Sequence, residues 1–355
     1  MEKIKIAVIG VGSISSSHIR AYKKNPNVEL YAFCDINEER LKRQGERFEV
    51  TRLYTDEATM LRELPEIDAV SVCTWNSEHA KCTIMALDAG KHVLCEKPMA
   101  MNAKEAREMI DASKKAGKKL MVGFVRRFGN DAAVARDFVE AGNVGDVYFA
   151  KASYLRRNGC PGGWFADKSR SGGGPLIDLG VHVIDLVRYL MGCPKPVSVY
   201  GATYDAMGKR ENLKDRVEYV SSSKSQFNHD VEDFATALIR FDNGAVLNVE
   251  ASFNLHIGTR NRNSIEMYGT KGGIALSPEF ELYTEINNYL ANVSLAKPTA
   301  LSFDGLFENE INYYVDSILN DRDLSSIAED GCTLMKILDA VYLSAKEGRE
   351  VLIEN

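Results

Sequence analysis

Short, nearly uninterrupted apolar runs alternate with stretches of helical period over the first third of the chain. The runs are Ile4 to Ile9, Glu29 to Cys34, Ala69 to Cys73, His92 to Cys95 and Leu120 to Gly123. Strands that are apolar on both faces and separated by helices predict a parallel, doubly wound α/β sheet. Beyond about residue 124 the period falls to two: Val147 to Tyr154, Val197 to Tyr204, Asp233 to Phe241, Ala245 to Phe253 and Asn263 to Tyr268 read as half-buried strands, and Asp242-Asn243-Gly244 as a hairpin turn. The expectation is a first domain over 1–124 and a C-terminal α+β domain over 125–355 with a large, mainly antiparallel sheet. Residues 205–230, rich in Lys, Arg, Ser and Asn, form either a lid or a surface insertion. Gly331 to Glu347 has the spacing of an amphipathic helix, and the sequence leaves open which domain it packs on.

Composition narrows the class without changing that picture. A chain of 355 residues exceeds what one core usually supports. Its 45% hydrophobic and 26% charged residues are ordinary for a soluble globular protein. The net charge of −6 comes from interspersed acids and bases, so nucleic acid is not an expected partner. No apolar run reaches the ~18 residues of a membrane span, and the first residues enter a strand pattern without a signal-peptide profile. Seven cysteines without a C-x-x-C pair read as thiols in a reducing compartment, with the cytoplasm as default. No His, Cys and acid set has convincing zinc spacing, so no metal is expected.

Gly10-Val11-Gly12-Ser13-Ile14-Ser15 follows the first strand and opens the first helix, the setting in which a glycine turn cradles a pyrophosphate at a helix N-terminus. Paired glycines alone occur in many loops. Asp35, 20 residues beyond Ser15 and at the end of the second strand, strengthens the reading, because a carboxylate there accepts both adenosine ribose hydroxyls. The alternative is a turn or helix-cap acid before Asn37. A 2′-phosphate meets that carboxylate unfavourably, so a Rossmann domain that binds NAD, with NADP second, is expected.

Three more stretches carry chemistry. Thr74-Trp75-Asn76-Ser77-Glu78-His79 follows the third strand and Glu96-Lys97-Pro98 the fourth, which places both at the carboxyl edge of the sheet where a nicotinamide would lie. In the third, Gly172 to Asp185, a helix begins near Pro175 and ends near Gly192. Asp178 and His182, four apart, share one face of it, while Leu179, Val183, Leu186 and Leu190 line another. Taken singly, Lys97 is as well a solvated loop lysine and His182 a satisfied helix histidine; it is their joint placement that points to a site. Asp185 reads as a structural acid, His18 as a helix-surface residue, and His79 as a cap or packing residue near the cofactor. The run Tyr154 to Trp164 either folds over a substrate, with Tyr154, Arg157 and Trp164 as walls, or is a surface loop. Arg127, at the domain junction, is a fourth candidate contact or half of an interdomain ion pair.

Together these motifs resemble the Gfo/Idh/MocA oxidoreductases: Gly-x-Gly at the first turn, Thr-x-Asn-x-x-His, Glu-Lys-Pro, and Gly-Gly-x-Leu-x-Asp-x-Gly-x-His-x-x-Asp. The likeness also covers Val231 to Phe234 and Ser344 to Gly348. It departs at Ser15 for the third glycine and at Trp75, where the family often has proline. The resemblance implies that Gly10, Gly12, Ser13, Ile14, Asp35, Thr74, Trp75, Asn76, His79, Glu96 and Lys97 surround NAD. It also implies that Lys97 and His182 contact the reacting hydroxyl with Asp178 in support, and that the Lys97–Pro98 peptide is a candidate cis bond. Alcohol oxidation needs a base near neutrality, which suits His182, and a cation beside the developing alkoxide, which suits Lys97; which of the two takes the proton stays open. The function implied is hydride transfer between a nicotinamide and a secondary alcohol of a sugar, polyol or inositol, in a homodimer or homotetramer. Two alternatives come with the family: an NAD-dependent glycosidase working by transient oxidation, and a non-catalytic dinucleotide sensor, which has no need of an acid/base set.

Overall fold

The computed structural model describes residues 3–208, 210, 213–214, 220–221, 228–276, 280–297 and 303–354, apart from the Ser325 side chain; much of the loop expected at 205–230 lies outside the described residues. The chain divides into two compact units: Met1–Val125 with Ser302–Met335, and Arg126–Leu301 with Lys336–Asn355.

In the first unit β1 (Ile4–Ile9), α1 (Ser15–Lys24), β2 (Val28–Cys34), α2 (Glu38–Phe48), β3 (Leu53–Tyr54), α3 (Glu57–Glu63), β4 (Ala69–Val72), α4 (Asn76–Asp88), β5 (His92–Glu96), α5 (Ala103–Ala116) and β6 (Leu120–Gly123) alternate. The strands form one parallel sheet in the order β3-β2-β1-β4-β5-β6, the doubly wound arrangement with its switch point between β1 and β4. Register aligns the strand tips, since Ile9 pairs with both Cys34 and Val72, and Val72 with Cys95. The residues that follow, Gly10, Asp35, Cys73 and Glu96, therefore share one edge.

The second unit holds α6 (Asn130–Glu140), β7 (Val147–Arg156), α7 (Lys168–Ser171), a π-helical turn (Leu176–Gly180) running into α8 (Val181–Leu190), and then β8 (Pro196–Tyr204), β9 (Phe234–Phe241), β10 (Val246–Ser252), β11 (Asn261–Gly269), β12 (Gly272–Leu276), β13 (Phe280–Ile286) and β14 (Tyr289–Ser294). With β15 (Val351–Leu352) these strands make a nine-stranded sheet, ordered β14-β13-β12-β11-β7-β10-β9-β8-β15 and antiparallel except where β10 meets β7. One cross-strand row, Val199-Ile239-Leu247-Ala150-Met267-Ile274-Leu282, is buried throughout. Its neighbour, Tyr200-Leu238-Asn248-Lys151-Glu266, lies on the other face and is exposed or half-buried. Strand alternation puts successive residues on opposite faces, so one face of this sheet is core and the other is not.

Two helices at the end of the chain depart from the expected organisation. α9 (Phe303–Leu319) belongs to the first unit, not to a continuous second domain from residue 125. The Phe307 ring packs tilted against the His18 ring with centroids 5.3 Å apart, and Arg107 forks onto Glu329 at 3.1 and 3.0 Å. α10 (Ser325–Glu347) starts six residues before the amphipathic stretch visible in the sequence. It begins in the first unit and ends in the second, where Ser344 Oγ accepts the Gly201 amide at 2.9 Å. Among the described residues no helix is long and apolar enough to cross a membrane.

Candidate active site

At the tip of β1 the chain turns at Gly10 with φ +83°, where a Cβ would lie 2.7 Å from the Cys73 carbonyl oxygen. Only glycine gives both the left-handed backbone and that approach. The turn enters α1 with Ile14 at the N-cap, no side chain capping the helix and no acid in its first turn. A helix start of this kind leaves amides for an anion. Ser15 fits in the third glycine position, fully buried with its hydroxyl donating 2.8 Å to the Gly12 carbonyl.

Asp35 stands beside this turn. Its carboxylate accepts the Val11 amide at 2.9 Å and the Asn37 amide at 2.8 Å, and the Arg40 guanidinium lies across it at 2.9 and 2.7 Å. The cap of α2 is Asn37, which accepts the Arg40 amide at 2.8 Å; Asp35 is thus not the helix-cap acid but, through the Asn37 amide, the acid of the turn that leads into it.

Past β4, Trp75 occupies the N-cap of α4 with φ −73°, a value within the range a proline ring imposes, so the departure from the family costs the backbone nothing. Thr74 is half-buried and Asn76 buried. His79 is buried, with Nδ1 2.7 Å from the Pro98 carbonyl and Nε2 3.3 Å from that of Thr74. It ties the β4 and β5 tips together, and burial holds its imidazole below the usual pKa. The Lys97–Pro98 peptide is cis.

Glu96 is buried, and both of its oxygens are engaged inside the protein: Oε1 lies 2.7 Å from His18 Nε2, and Oε2 accepts the Lys97 amide at 3.1 Å. Burial raises its carboxyl pKa, but the His18 hydrogen bond, with charge interactions with His18, Lys97 and His79, outweighs this and holds it below the ordinary value. His18 is fully buried, not a helix-surface residue, and its other nitrogen meets Ser71 Oγ at 3.1 Å. Lys97 is the one residue between Val93 and Ala100 that is not buried.

In the second unit, residues 173–188 are buried except at two positions, Asp178 and His182. The segment opens as a π turn, its Val181 amide bonding back to the Leu176 carbonyl, and continues as α8. His182 lines a cleft of about 430 Å³ together with Tyr154, Arg126, Asp131, Asn261 and Asn263. The Tyr154 and His182 rings are 6.4 Å apart. Three of the other sequence candidates lie elsewhere. Arg127 is buried with its guanidinium on Asp185 at 2.6 to 3.2 Å, an ion pair within this unit, which makes Asp185 the structural acid expected. Arg157 is exposed and Trp164 stacks on Phe165 at 3.9 Å, neither lining the cleft. The polar wall contributed by Asn261 to Ser264 escaped sequence reading. Its signal is a break in alternation, Thr259-Arg260-Asn261-Arg262-Asn263-Ser264, at the start of a strand whose remainder alternates cleanly.

Comparison with known proteins agrees with both halves. Residues 4–124 match the family described as "Oxidoreductase family, NAD-binding Rossmann fold", and residues 132–275 match the "GFO/IDH/MocA C-terminal domain". The chain is 33% identical to D-glucoside 3-dehydrogenase of Escherichia coli (strain K12), covering 98% of this chain and 97% of that one. It is 30% identical to myo-inositol 2-dehydrogenase of Thermotoga maritima, covering 76% and 74%. Among solved structures, levoglucosan dehydrogenase in complex with NADH superposes with a TM-score of 0.87 at 26% identity over 100% of both chains.

Proposed function

From the premise that this chain belongs to the Gfo/Idh/MocA family of NAD-binding oxidoreductases, we propose that it oxidises a secondary alcohol of a glycoside, polyol or inositol, with Lys97, Asp178 and His182 serving the reacting hydroxyl. The observation that carries this reading is the segment 173–188, which withdraws every side chain from solvent except one acid and one imidazole and sets that imidazole in a cleft of mixed polar and apolar lining. The first unit suits a nicotinamide dinucleotide: the Gly10 turn takes a left-handed backbone packed directly against Cys73, the start of α1 is uncapped, and the Asp35 carboxylate stands beside the turn, where it would accept the ribose hydroxyls. Bound there, NAD supplies a hydride acceptor at the nicotinamide C4.

In this scheme the carbinol carbon gives up a hydride and its hydroxyl a proton, leaving a ketone. His182 takes the proton, since imidazole titrates near neutrality. The Lys97 ammonium steadies the alkoxide character that develops on the oxygen, and Asp178 fixes the imidazole or a neighbouring hydroxyl. Tyr154 and the Asn261–Asn263 strand edge offer a stacking face and amides to a polyhydroxylated ring. The named relatives are dehydrogenases, which does not favour the glycosidase or sensor alternatives.

The test mixes the protein with NAD and a panel of glucosides, levoglucosan and inositols. Net NADH should accumulate with at least one of them. Lys97→Ala and His182→Ala should each lower turnover by at least about 10²-fold while NAD binding persists. Near-normal turnover in both variants would remove these residues from the mechanism. All seven cysteines are free thiols, in keeping with a cytoplasmic enzyme, and the exposed Tyr200 and Leu238 on the outer face of the second sheet support a homodimer or homotetramer.

A further inference from the structure

The turn that starts the Asp178–His182 segment is held by two residues far from it in sequence. Glu232, just before β9, is 9% exposed. Its carboxylate accepts the Gly174 amide at 2.9 Å, the Leu176 amide at 3.2 Å, and the hydroxyl of Tyr342 from α10 at 2.9 Å. The first amides of a helix have no partner within it, and a carboxylate also complements the positive end of the helix dipole. The fit leaves no slack, because a Cβ on Gly174 would lie 2.3 Å from the Glu232 carbonyl oxygen and one on Gly173 would lie 2.0 Å from the Tyr342 hydroxyl. Directly beyond this anchor lies the π turn Leu176–Gly180. A π turn holds one residue more than an α turn, and one residue is about 100° of rotation about the helix axis. Whatever fixes the start of the segment therefore decides where Asp178 points relative to His182.

We propose that Glu232 and Tyr342 are positioning residues: as a pair they hold Leu176–Gly180 in its π-helical register, so that Asp178 and His182 alone emerge from a buried segment. Neither residue touches the cleft. The inference rests on the function proposed above for those two side chains and adds the device that orients them. It also accounts for an otherwise costly arrangement, a carboxylate removed from water and satisfied by three donors. The groups that face it are the Tyr342 hydroxyl and, on the far side of that ring, the Lys168 ammonium 5.7 Å from the ring centroid.

Two variants test this, Tyr342→Phe, which removes only the hydroxyl, and Glu232→Gln, which keeps one accepting oxygen. Each should lower kcat about tenfold to a hundredfold, as expected for small misplacements of catalytic groups. KM for NAD should stay within about twofold, and the double variant should be no worse than the weaker single, because the pair acts as one unit. The titration of the His182 ring, followed by NMR in the absence of substrate, should move in both. If either folded variant, or Tyr342→Phe alone where Glu232→Gln does not fold, keeps both the wild-type kcat and the wild-type His182 titration, the pair merely stabilises the unit and the proposal is overturned. If the unaltered protein oxidises no glycoside, polyol or inositol, the functional reading falls, and the His182 titration still decides the positioning role.

Discussion

At Asp35 four donors converge on one carboxylate, two backbone amides and both arms of the Arg40 fork. Two carboxylate oxygens offer about four lone-pair sites, so ribose hydroxyls can bond there only by sharing or displacing the guanidinium. In the proposed binding mode the acid would still disfavour NADP, because a 2′-phosphate beside it meets like charge. Replacing Asp35→Ala would remove the proposed ribose acceptor and release Arg40 at once. Hydrogen bonds to a charged partner contribute about 1.5 to 3 kcal/mol each. The Kd for NAD should therefore rise about tenfold to a hundredfold, while NADP binding strengthens. Titration of NADH and NADPH fluorescence reads both, and an unchanged NAD affinity would mean that Asp35 is not the ribose ligand. The spacing from the glycine turn made this residue visible in the sequence. The Arg40 guanidinium lying across the acid was not legible, since it is a matter of side-chain packing.

Among the elements, the first unit was legible because parallel strands buried on both faces must be apolar throughout, as in Ala69–Val72 and Leu120–Gly123, each entirely buried. The antiparallel strands β7 to β11 were legible for the complementary reason, a period of two. β14 was not: Tyr-Leu-Ala-Asn-Val-Ser lies exposed at a sheet edge, where no burial imposes alternation. The π turn was illegible because its register is imposed by Glu232, 56 positions from Leu176. α9 was missed for a similar reason, since the surface it covers, α1, comes some 284 residues earlier. That helix carries Glu310, fully buried, with neither carboxylate oxygen hydrogen-bonded, and burial together with the nearby Glu96 charge pushes its pKa well above the ordinary 4.5. A raised folded pKa means that the fold keeps a proton the unfolded chain releases. Stability is then fully present below the ordinary value and is lost as pH rises from there toward the folded one, by up to about 1.4 kcal/mol per pH unit. Glu310→Gln, uncharged at every pH, should raise the melting temperature at about pH 8 by a few degrees and lose that advantage near about pH 4. Equal melting curves at both pH values would show that Glu310 ionises freely in the folded protein.

For the whole molecule the open question is what covers the outer face of the nine-stranded sheet. One face of that sheet is sealed by its own unit, while the other presents Tyr200 at 52% and Leu238 at 44% exposure, paired across β8 and β9. Large side chains side by side on a sheet face mark an interaction surface more often than they do singly. The homodimer or homotetramer proposed above would place a second copy of the chain there. If the assembly is twofold symmetric, each residue is used twice, once from either copy. Burying one Leu or Tyr contributes about 1.5 to 3 kcal/mol, so a charge at Leu238 should cost a dimer about 3 to 6 kcal/mol, or roughly 10² to 10⁴ in its dissociation constant. Leu238→Glu should therefore appear at lower mass than the unaltered chain by light scattering at micromolar concentration. The substitution lies on the face opposite the buried row that includes Ile239 and Leu247, so the fold itself should hold and NAD should still bind. A variant of undiminished mass would assign the assembly contact to another surface, and an unaltered chain that is already monomeric would leave this face with no partner of its own kind.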